Sequence, residues 1–204
     1  MPDVNELDIT EHSMTGDASA RVIETLQDRL VSLIDLHLTL KHVHWNVVGM
    51  NFIAIHEMLD PQVDTVRAQT DAVAERIAIL GGEPKGTPGA VVELRRWNDY
   101  ELDRAPSVQH LAALDDVYSG VIADHRSAIK EVGDLDPITQ DLLIGHTGDL
   151  ELLQWFIRAH LMDATGDVVH RTLTTSRETP AVAPVTPSTT KCAVEAREPS
   201  FPPV

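Results

Sequence analysis

The segment HWNVVGMNFIAIHEMLDPQVDTVRAQTDAVAE, residues 44–75, is the part of the sequence that decides the fold. From His56 onward, its pattern predicts a single helix. Four side chains suited to binding a metal share one stripe of that helix, within about 100° of its circumference: His56, Asp60, Asp71 and Glu75. Their spacing is symmetric about residues 65–66. A two-fold axis there would bring Asp60 opposite Asp71 of a second copy, and the histidine opposite the glutamate.

A single copy of this helix cannot close a metal site with these groups. Asp60 and Glu75 lie about 22 Å apart along the axis, whereas ligands stand about 2.0–2.2 Å from a shared ion. An antiparallel partner helix removes the difficulty, because the histidine half of one subunit then faces the carboxylate half of the other. His44 joins from the preceding helix, since a short turn at Val48–Asn51 folds that helix back beside His56. The sequence therefore predicts two half-sites at a two-fold interface of a homo-oligomer.

Other interpretations of these residues remain open. Pro61 removes a backbone hydrogen bond and costs about 3 kcal/mol inside an ideal helix, so Asp60 is alternatively an N-cap with the proline at the first helical position. A kinked but continuous helix is preferred, because Phe52–Leu59 is too apolar for a loop. Asp71 and Glu75 are alternatively solvated charges, or Asp71 pairs with Arg67 and Glu75 with the neighbourhood of Arg76.

Apolar residues recur every three or four positions in four long segments, which predicts four amphipathic helices. The predicted bounds are about 19–47, 52–80, 107–132 and 137–164, with a short helix near 88–95 inside a connector over 81–106. This order is typical of an all-α four-helix bundle with a short helix in the crossover between helices two and three.

Residues at the predicted helix ends supply the expected signals. Ser19 and Asn51 are candidate N-caps, Gly81-Gly82 ends the second helix, and Asp136 with the following proline starts the last one. His37 lies on the inner stripe of the first helix and is interpreted as a hydrogen-bonded core residue.

Composition narrows the class of protein. The 204-residue chain is 43% hydrophobic but only 4% aromatic, which suits packed helices rich in aliphatic residues. No apolar run approaches the roughly 18 residues that span a membrane, and the acidic N-terminus does not resemble a secretory signal. A single cysteine, Cys192, excludes an intrachain disulfide and favours a cytoplasmic location. The net charge of −16 favours attraction of metal cations and repulsion of DNA.

The sequence KHVHWNVVGMNFIAIHEMLD, residues 41–60, followed by DAVAERIAILGG, residues 71–82, resembles the signature of the Dps family. These are DNA-binding proteins from starved cells, within the ferritin-like superfamily, and the resemblance covers about residues 20–165 and is of the actinobacterial type. It implies a ferritin-like bundle and a hollow dodecamer. It also implies that Fe²⁺ is oxidised, usually by hydrogen peroxide, at inter-subunit sites that bind two irons each, and that Fe³⁺ is stored as mineral.

The resemblance also implies roles for individual residues. The ferroxidase ligands are His44, His56, Asp60, Asp71 and Glu75, and the neighbouring tryptophan is Trp45. In this scheme Asp60 and Glu75 anchor the first iron, the two histidines complete its coordination, and Asp71 and Trp45 support it. The other di-iron arrangement, Glu-x-x-His on two helices of one subunit, is unsupported because that motif does not occur in the chain.

Iron channels and DNA contacts are further expectations from the family. Acidic groups near the start of the last helix line three-fold channels, for which the candidates are Asp141, His146 and Asp149. Residues 1–18 are interpreted as a flexible acidic arm, 19–165 as the bundle and 166–204 as a flexible tail rich in proline and threonine. Some family members bind DNA through basic tails. The alternative function is therefore a nucleoid-compacting protein that binds DNA through its C-terminal tail, although residues 171–204 carry a side-chain charge of only +1.

Overall fold

The structure is a computed structural model that describes residue 14 and residues 16–162. Its elements in chain order are α1 Gly16–Asn46, β1 Val47–Val48, α2 Phe52–Ile79, α3 Pro88–Leu94, β2 Ala105–Pro106, α4 Ser107–Val132 and α5 Pro137–Leu161. The predicted four-helix bundle with a short helix in its crossover is confirmed. The expectations for residues 1–13 and for the tail at 166–204, including Cys192, fall outside the described residues.

The four long helices enclose one aliphatic core. α1 packs mainly on α2, and α4 mainly on α5. Fully buried residues from every long helix meet in the core, among them Leu26, Leu33, Leu59, Leu114 and Leu150. Each such side chain contributes about 1.5–3 kcal/mol through removal from water. Within the described residues, no helix has the length and apolar character needed to cross a bilayer.

The two N-caps predicted from Ser19 and Asn51 do not form side-chain capping hydrogen bonds. α1 begins at Gly16, three residues before Ser19, so the prediction of Ser19 as an N-cap is wrong. The Ser19 hydroxyl instead donates to the carbonyl of Leu80 at 3.0 Å and ties the start of α1 to the end of α2. Asn51 does precede α2, but its side chain makes no capping hydrogen bond.

α2 ends at Ile79, followed by Gly81 and Gly82, as the sequence predicts. Gly81 has φ of 83°, a conformation that favours glycine. Its N–H donates to the carbonyl of Ala78 at 3.0 Å, and the N–H of Gly82 donates to that of Ile77 at 2.9 Å. These two bonds are the Schellman pattern, which satisfies carbonyls at a helix end.

α2 continues without interruption through Pro61. The alternative in which Asp60 is an N-cap is therefore wrong. Ile55 and Leu59 before the proline and Val66 after it are all fully buried on the same face. Their burial outweighs the hydrogen bond that the proline removes.

The turn between α1 and α2 is short because Gly49 adopts φ of 113° and its carbonyl accepts a hydrogen bond from the Phe52 N–H at 3.1 Å. Just before it, Val47–Val48 pairs in parallel with Ala105–Pro106. This two-residue pairing fixes the end of α1 beside the start of α4. The Gly49 turn sets the last turn of α1 against the first turn of α2.

The start of α5 contains a buried ionic cap, which gives a stability prediction. The Asp136 carboxylate accepts from the N–H groups of Ile138 and Thr139 at 3.3 Å and from Arg76 Nη2 at 2.5 Å. Burial raises the pKa of Asp136, but hydrogen bonds from Thr139 and Arg76 outweigh it and the pKa is lowered.

We expect Asp136→Ala to lower the free energy of unfolding by about 2 kcal/mol, through loss of the cap and of a charged hydrogen bond. Urea unfolding measures this, and Asp134→Ala, which changes an exposed neighbour, is expected to have little effect.

Candidate metal centre

His44 and His56 hold each other in place through reciprocal hydrogen bonds. His44 Nδ1 donates to the His56 carbonyl at 3.0 Å, and His56 Nδ1 donates to the His44 carbonyl at 2.9 Å. The rings stack with centroids 3.6 Å apart and planes inclined by 25°. Because each Nδ1 carries the proton, each Nε2 keeps a lone pair. A hydrogen bond of this kind fixes the tautomer and orientation of a histidine that binds a metal.

Asp60 lies one turn after His56 and completes this half of the site. Its Oδ1 lies 3.3 Å from His44 Nδ1 and accepts a hydrogen bond from Lys41 Nζ at 3.0 Å. The hydrogen bond from Lys41 lowers the pKa of Asp60, with smaller contributions from the two histidines. Asp60 is therefore an anion at neutral pH, and a lysine ammonium occupies the position beside it that a cation would favour.

Asp71 and Glu75 lie about three and four turns after Asp60 along α2, on the exposed surface. Neither forms an ion pair with a described residue. The alternative in which neighbouring arginines neutralise them is wrong, since Arg76 pairs with Asp136 of the α5 cap and Arg67 makes no ion pair in the described part of the chain. Asp71 lines an open cavity of about 760 Å³ between α1, α2 and the 84–86 loop.

One subunit does not assemble a complete site. Among the described residues, no group of three or more His, Cys, Asp or Glu side chains is placed to hold one metal ion. That the two halves come from different chains stays a prediction from the spacing of these residues along α2.

Large apolar side chains surround the histidine half without being covered. The exposed fractions are 70% for Trp45, 103% for Met50 and 58% for Ile53, and Phe52 is 39% exposed with its ring 5.0 Å from that of His56. Trp45 also lies under Lys41, whose Nζ is 5.8 Å from the ring centroid. Such a concentration of exposed apolar surface marks a contact with another molecule.

Comparison with known proteins shows the family of the chain. The ferritin-like domain family matches residues 23–165. The DNA protection during starvation protein of Mycolicibacterium smegmatis is 57% identical over 156 residues, which are 76% of this chain and 85% of the relative. The chain belongs to the Dps family.

Solved Dps structures share the fold. Dps from Mycobacterium smegmatis superposes with a TM-score of 0.77 at 55% identity, over 79% of this chain and 98% of that one. DpsA14 from Streptomyces coelicolor gives a TM-score of 0.77 at 57% identity, over 78% and 95% of the two chains. The family predicted from residues 41–60 and 71–82 is thereby confirmed.

The prediction that His37 is a hydrogen-bonded core residue is wrong. The ring is only half-buried and makes no hydrogen bond to a described residue. It lines the same open cavity as Asp71 and Arg67. Burial lowers the pKa of His37, and the charges of Arg67 and Lys41 lower it further. His37 therefore faces the edge of the candidate interface and not the closed core.

The three channel candidates do not lie on one exposed surface. Asp141 and Asp149 are exposed on α5, but the His146 ring is 8% exposed and buried in the bundle. Asp149 accepts a hydrogen bond from Gln69 at 3.3 Å, and the same amide donates to the His146 carbonyl. A channel role for Asp141 and Asp149 stays a prediction, and the interior position of His146 separates its ring from them.

Sequence reasoning missed Lys41. It precedes His44 by three residues, so the two share a helix face, and this spacing was the available signal. The reciprocal backbone bonds of the histidines had no signal in the sequence, because they depend on how closely the turn brings α1 and α2 together.

Proposed function

We propose that this Dps protein is a ferroxidase and an iron-storing mini-ferritin. Its substrates are Fe²⁺ and hydrogen peroxide, and two irons are oxidised at each site between two-fold partners. The observation that carries the proposal is the pair of stacked imidazoles with both Nε2 atoms available beside the Asp60 carboxylate. Imidazole and carboxylate together are a suitable ligand set for iron.

The second half of each site comes from the partner's α2. An antiparallel partner helix, crossing near residues 65–66, sets Asp71 and Glu75 of one chain against His56 and Asp60 of the other. Two observations support this arrangement. The two carboxylates have no ion pair with described residues of their own chain, and uncovered apolar side chains border the histidines. Trp45 and Asp71 act in support of the ligands rather than as principal anchors.

The proposed ligands have different roles in the oxidation. His44 and His56 bind Fe²⁺ through neutral Nε2 atoms, whose orientation is set by the bonds at Nδ1. Asp60 and the partner subunit's Glu75 neutralise the metal charge. Peroxide accepts one electron from each of about two Fe²⁺ ions in a paired site. Because both electrons are supplied together, peroxide is reduced to water without release of a hydroxyl radical.

Storage requires a closed shell, and Dps family membership supports a hollow dodecamer. The Fe³⁺ product would collect as mineral inside it, with Asp141 and Asp149 as candidate groups along the channels for Fe²⁺. Protection of the cell and its DNA from oxidative damage follows, because Fe²⁺ and peroxide are removed together. The expected location is the cytoplasm.

Anaerobic titration of the purified assembly with Fe²⁺, followed by peroxide, tests the proposal. We expect saturable binding and rapid oxidation, with about two Fe²⁺ consumed per peroxide, and loss of both in Asp60→Ala/Glu75→Ala. The matched control is Asp64→Ala/Glu57→Ala, which removes two exposed carboxylates of the same helix. Equal oxidation by the wild type and the Asp60/Glu75 variant would refute the shared site.

The alternative function is DNA compaction through the C-terminal tail. A relative named for DNA protection supports it. The charges oppose it, since a −16 chain with a tail of only +1 has few groups for phosphate contacts. Gel retardation of DNA at low and moderate salt, with full-length protein and a chain ending at residue 165, distinguishes the two functions.

A further inference from the structure

Four polar atoms inside the bundle have no hydrogen-bond partner in the described part of the chain. Each long helix contributes one of them: Arg29 Nη1 from α1, Gln69 Oε1 from α2, His125 Nε2 from α4 and His146 Nδ1 from α5. None of these residues is more than 8% exposed. A buried polar atom without a partner costs free energy, so a molecule or ion bound between the four helices would remove that cost.

The four residues lie at one level of the bundle. The Gln69 side-chain amide donates to the backbone carbonyl of His146 at 3.3 Å, which joins α2 to α5 there. Arg29 Nη1 lies 3.7 Å from Asp124, the neighbour of His125 in α4. The charges of Arg29 and His146 both act on the His125 ring. These residues therefore form one polar layer, which we call the central layer.

Three atoms of the central layer can offer a lone pair. His125 Nδ1 donates to the Val121 carbonyl at 2.9 Å, so Nε2 carries no proton while the ring is neutral. Burial lowers the pKa of His125 to about 4 and also lowers that of His146, which keeps both rings neutral near pH 7. Gln69 uses its NH₂ group as a donor, which leaves its oxygen free to accept. Arg29, in contrast, can only donate.

The charges around the central layer are compatible with a cation. Asp149 accepts a hydrogen bond from the Gln69 amide at 3.3 Å, and Asp124 faces the Arg29 guanidinium on the other side of the bundle. Two carboxylates and one guanidinium leave a net negative charge while the imidazoles are neutral. The repulsion that Arg29 alone would exert on a cation is thus offset.

We propose that the central layer binds one Zn²⁺ ion inside each subunit, held by His125 Nε2, His146 Nδ1 and Gln69 Oε1. Imidazole nitrogen is a ligand that Zn²⁺ favours, and three protein ligands plus one water complete a tetrahedral site. That water accepts a hydrogen bond from Arg29 Nη1, so a single ion satisfies all four atoms. The site has no carboxylate ligand and lies within one chain, which distinguishes it from the proposed ferroxidase centre.

Burial gives this ion a structural role. Its ligands come from α2, α4 and α5, and their burial closes the site to a substrate. The ion joins these three helices at the middle of the bundle. An ion that binds the folded chain and not the unfolded one stabilises the fold by mass action.

Cobalt spectroscopy tests the proposal in a shell that lacks the ferroxidase ligands. Asp60→Ala/Glu75→Ala protein is freed of metal with a chelator and reassembled with Co²⁺. Tetrahedral Co²⁺ absorbs visible light much more strongly than Co²⁺ bound by surface carboxylates and water. We expect roughly one tetrahedral ion per subunit, lost on adding His125→Leu or His146→Leu. His160→Leu, which replaces an exposed histidine of α5, is the matched control and should keep the absorption.

Thermal unfolding of the same proteins with Zn²⁺ gives a second readout. At free Zn²⁺ about 100 times its Kd, Tm is expected to rise by about 5–10 °C, and by much less in the two buried-histidine variants. Arg29→Met should retain the Co²⁺ absorption but move the pH midpoint of its spectral change upwards, because hydroxide formed from the bound water loses its donor. An unchanged midpoint would contradict the role given to Arg29.

Anomalous diffraction at the zinc edge decides between an ion and ordered water. It needs no variant, so it remains decisive if a buried-histidine variant fails to assemble. A peak within the central layer supports the site. Ordered water alone, or Co²⁺ absorption that survives both buried-histidine changes, would overturn it. Since the ferroxidase ligands are absent from the cobalt experiment, failure of iron oxidation and failure of this site are distinguishable.

Discussion

Mixing His56→Ala subunits with Glu75→Ala subunits is expected to restore iron oxidation that neither variant shows alone. Each variant by itself damages one half of every shared site. In a mixed two-fold pair, one site carries both lesions, and the other takes its histidine half from the Glu75→Ala chain and its carboxylate half from the His56→Ala chain. That second site is intact. Random pairing of equal amounts therefore restores about a quarter of all sites.

The measurement is the initial rate of Fe²⁺ oxidation by peroxide after joint unfolding and reassembly of the two variants. Separately, each is expected to lose at least about 100-fold in rate, since even outer-sphere changes at metal sites cost about 10–100-fold. Mixing His56→Ala with Asp60→Ala is the matched control. Both lesions then fall in the same half, no intact site can form, and the rate stays low. Recovery in the control, or none in the test pair, would contradict the two-fold site.

Acid is expected to destabilise each subunit through His125. The ring is fully buried in α4, and Nδ1 donates to the Val121 carbonyl at 2.9 Å. Burial lowers the pKa of His125 from 6.5 to about 4, assisted by the charges of Arg29 and His146. Between these two pH values, His125 is therefore protonated in the unfolded chain and neutral in the folded chain. Stability is complete above the unfolded pKa near 6.5 and falls as the pH drops towards 4.

The expected loss over this window is about 3 kcal/mol per subunit, from a pKa difference of about 2.5 units. Urea unfolding of wild type at about pH 7.5 and about pH 4.5 measures it. In His125→Leu the difference between the two pH values is expected to shrink by that amount. His160→Leu, which replaces an exposed histidine of α5, should leave the difference unchanged. A pH dependence that is equal in all three proteins would assign acid sensitivity to other groups.

The sequence was sufficient for the architecture because the fold rests on local patterns. Aliphatic periodicity placed the four helices, and Gly81-Gly82 and Asp136-Pro137 placed two of their ends to within a residue. The N-cap prediction for Ser19 failed because its hydroxyl donates a hydrogen bond to the Leu80 carbonyl of another helix. The sequence does not show whether the hydrogen-bond partner of a serine is local or distant. The pairing of Val47 with Ala105 could not be predicted either, because it joins residues far apart in the chain.

The candidate site was predicted in part. Helix geometry alone placed His56 and Asp60 on the stripe of Asp71 and Glu75, and it showed that one chain could not close a site. It could not show that Lys41 donates to Asp60 or that the two histidines exchange hydrogen bonds, because both depend on the approach of two helices. His37 was misplaced because an inward stripe does not show where packing stops and a cavity begins.

Because both half-sites lie on α2, a newly synthesised chain that has not yet paired has no complete iron site. Under the proposed mechanism, an isolated subunit carries every ligand but cannot oxidise iron, since its own two halves lie about 22 Å apart along α2 and each needs the facing half of the two-fold partner. Ferric product, which is insoluble, would therefore arise only after chains have paired. A newly made chain would therefore not deposit ferric product on itself, because the site becomes active only when two subunits have paired.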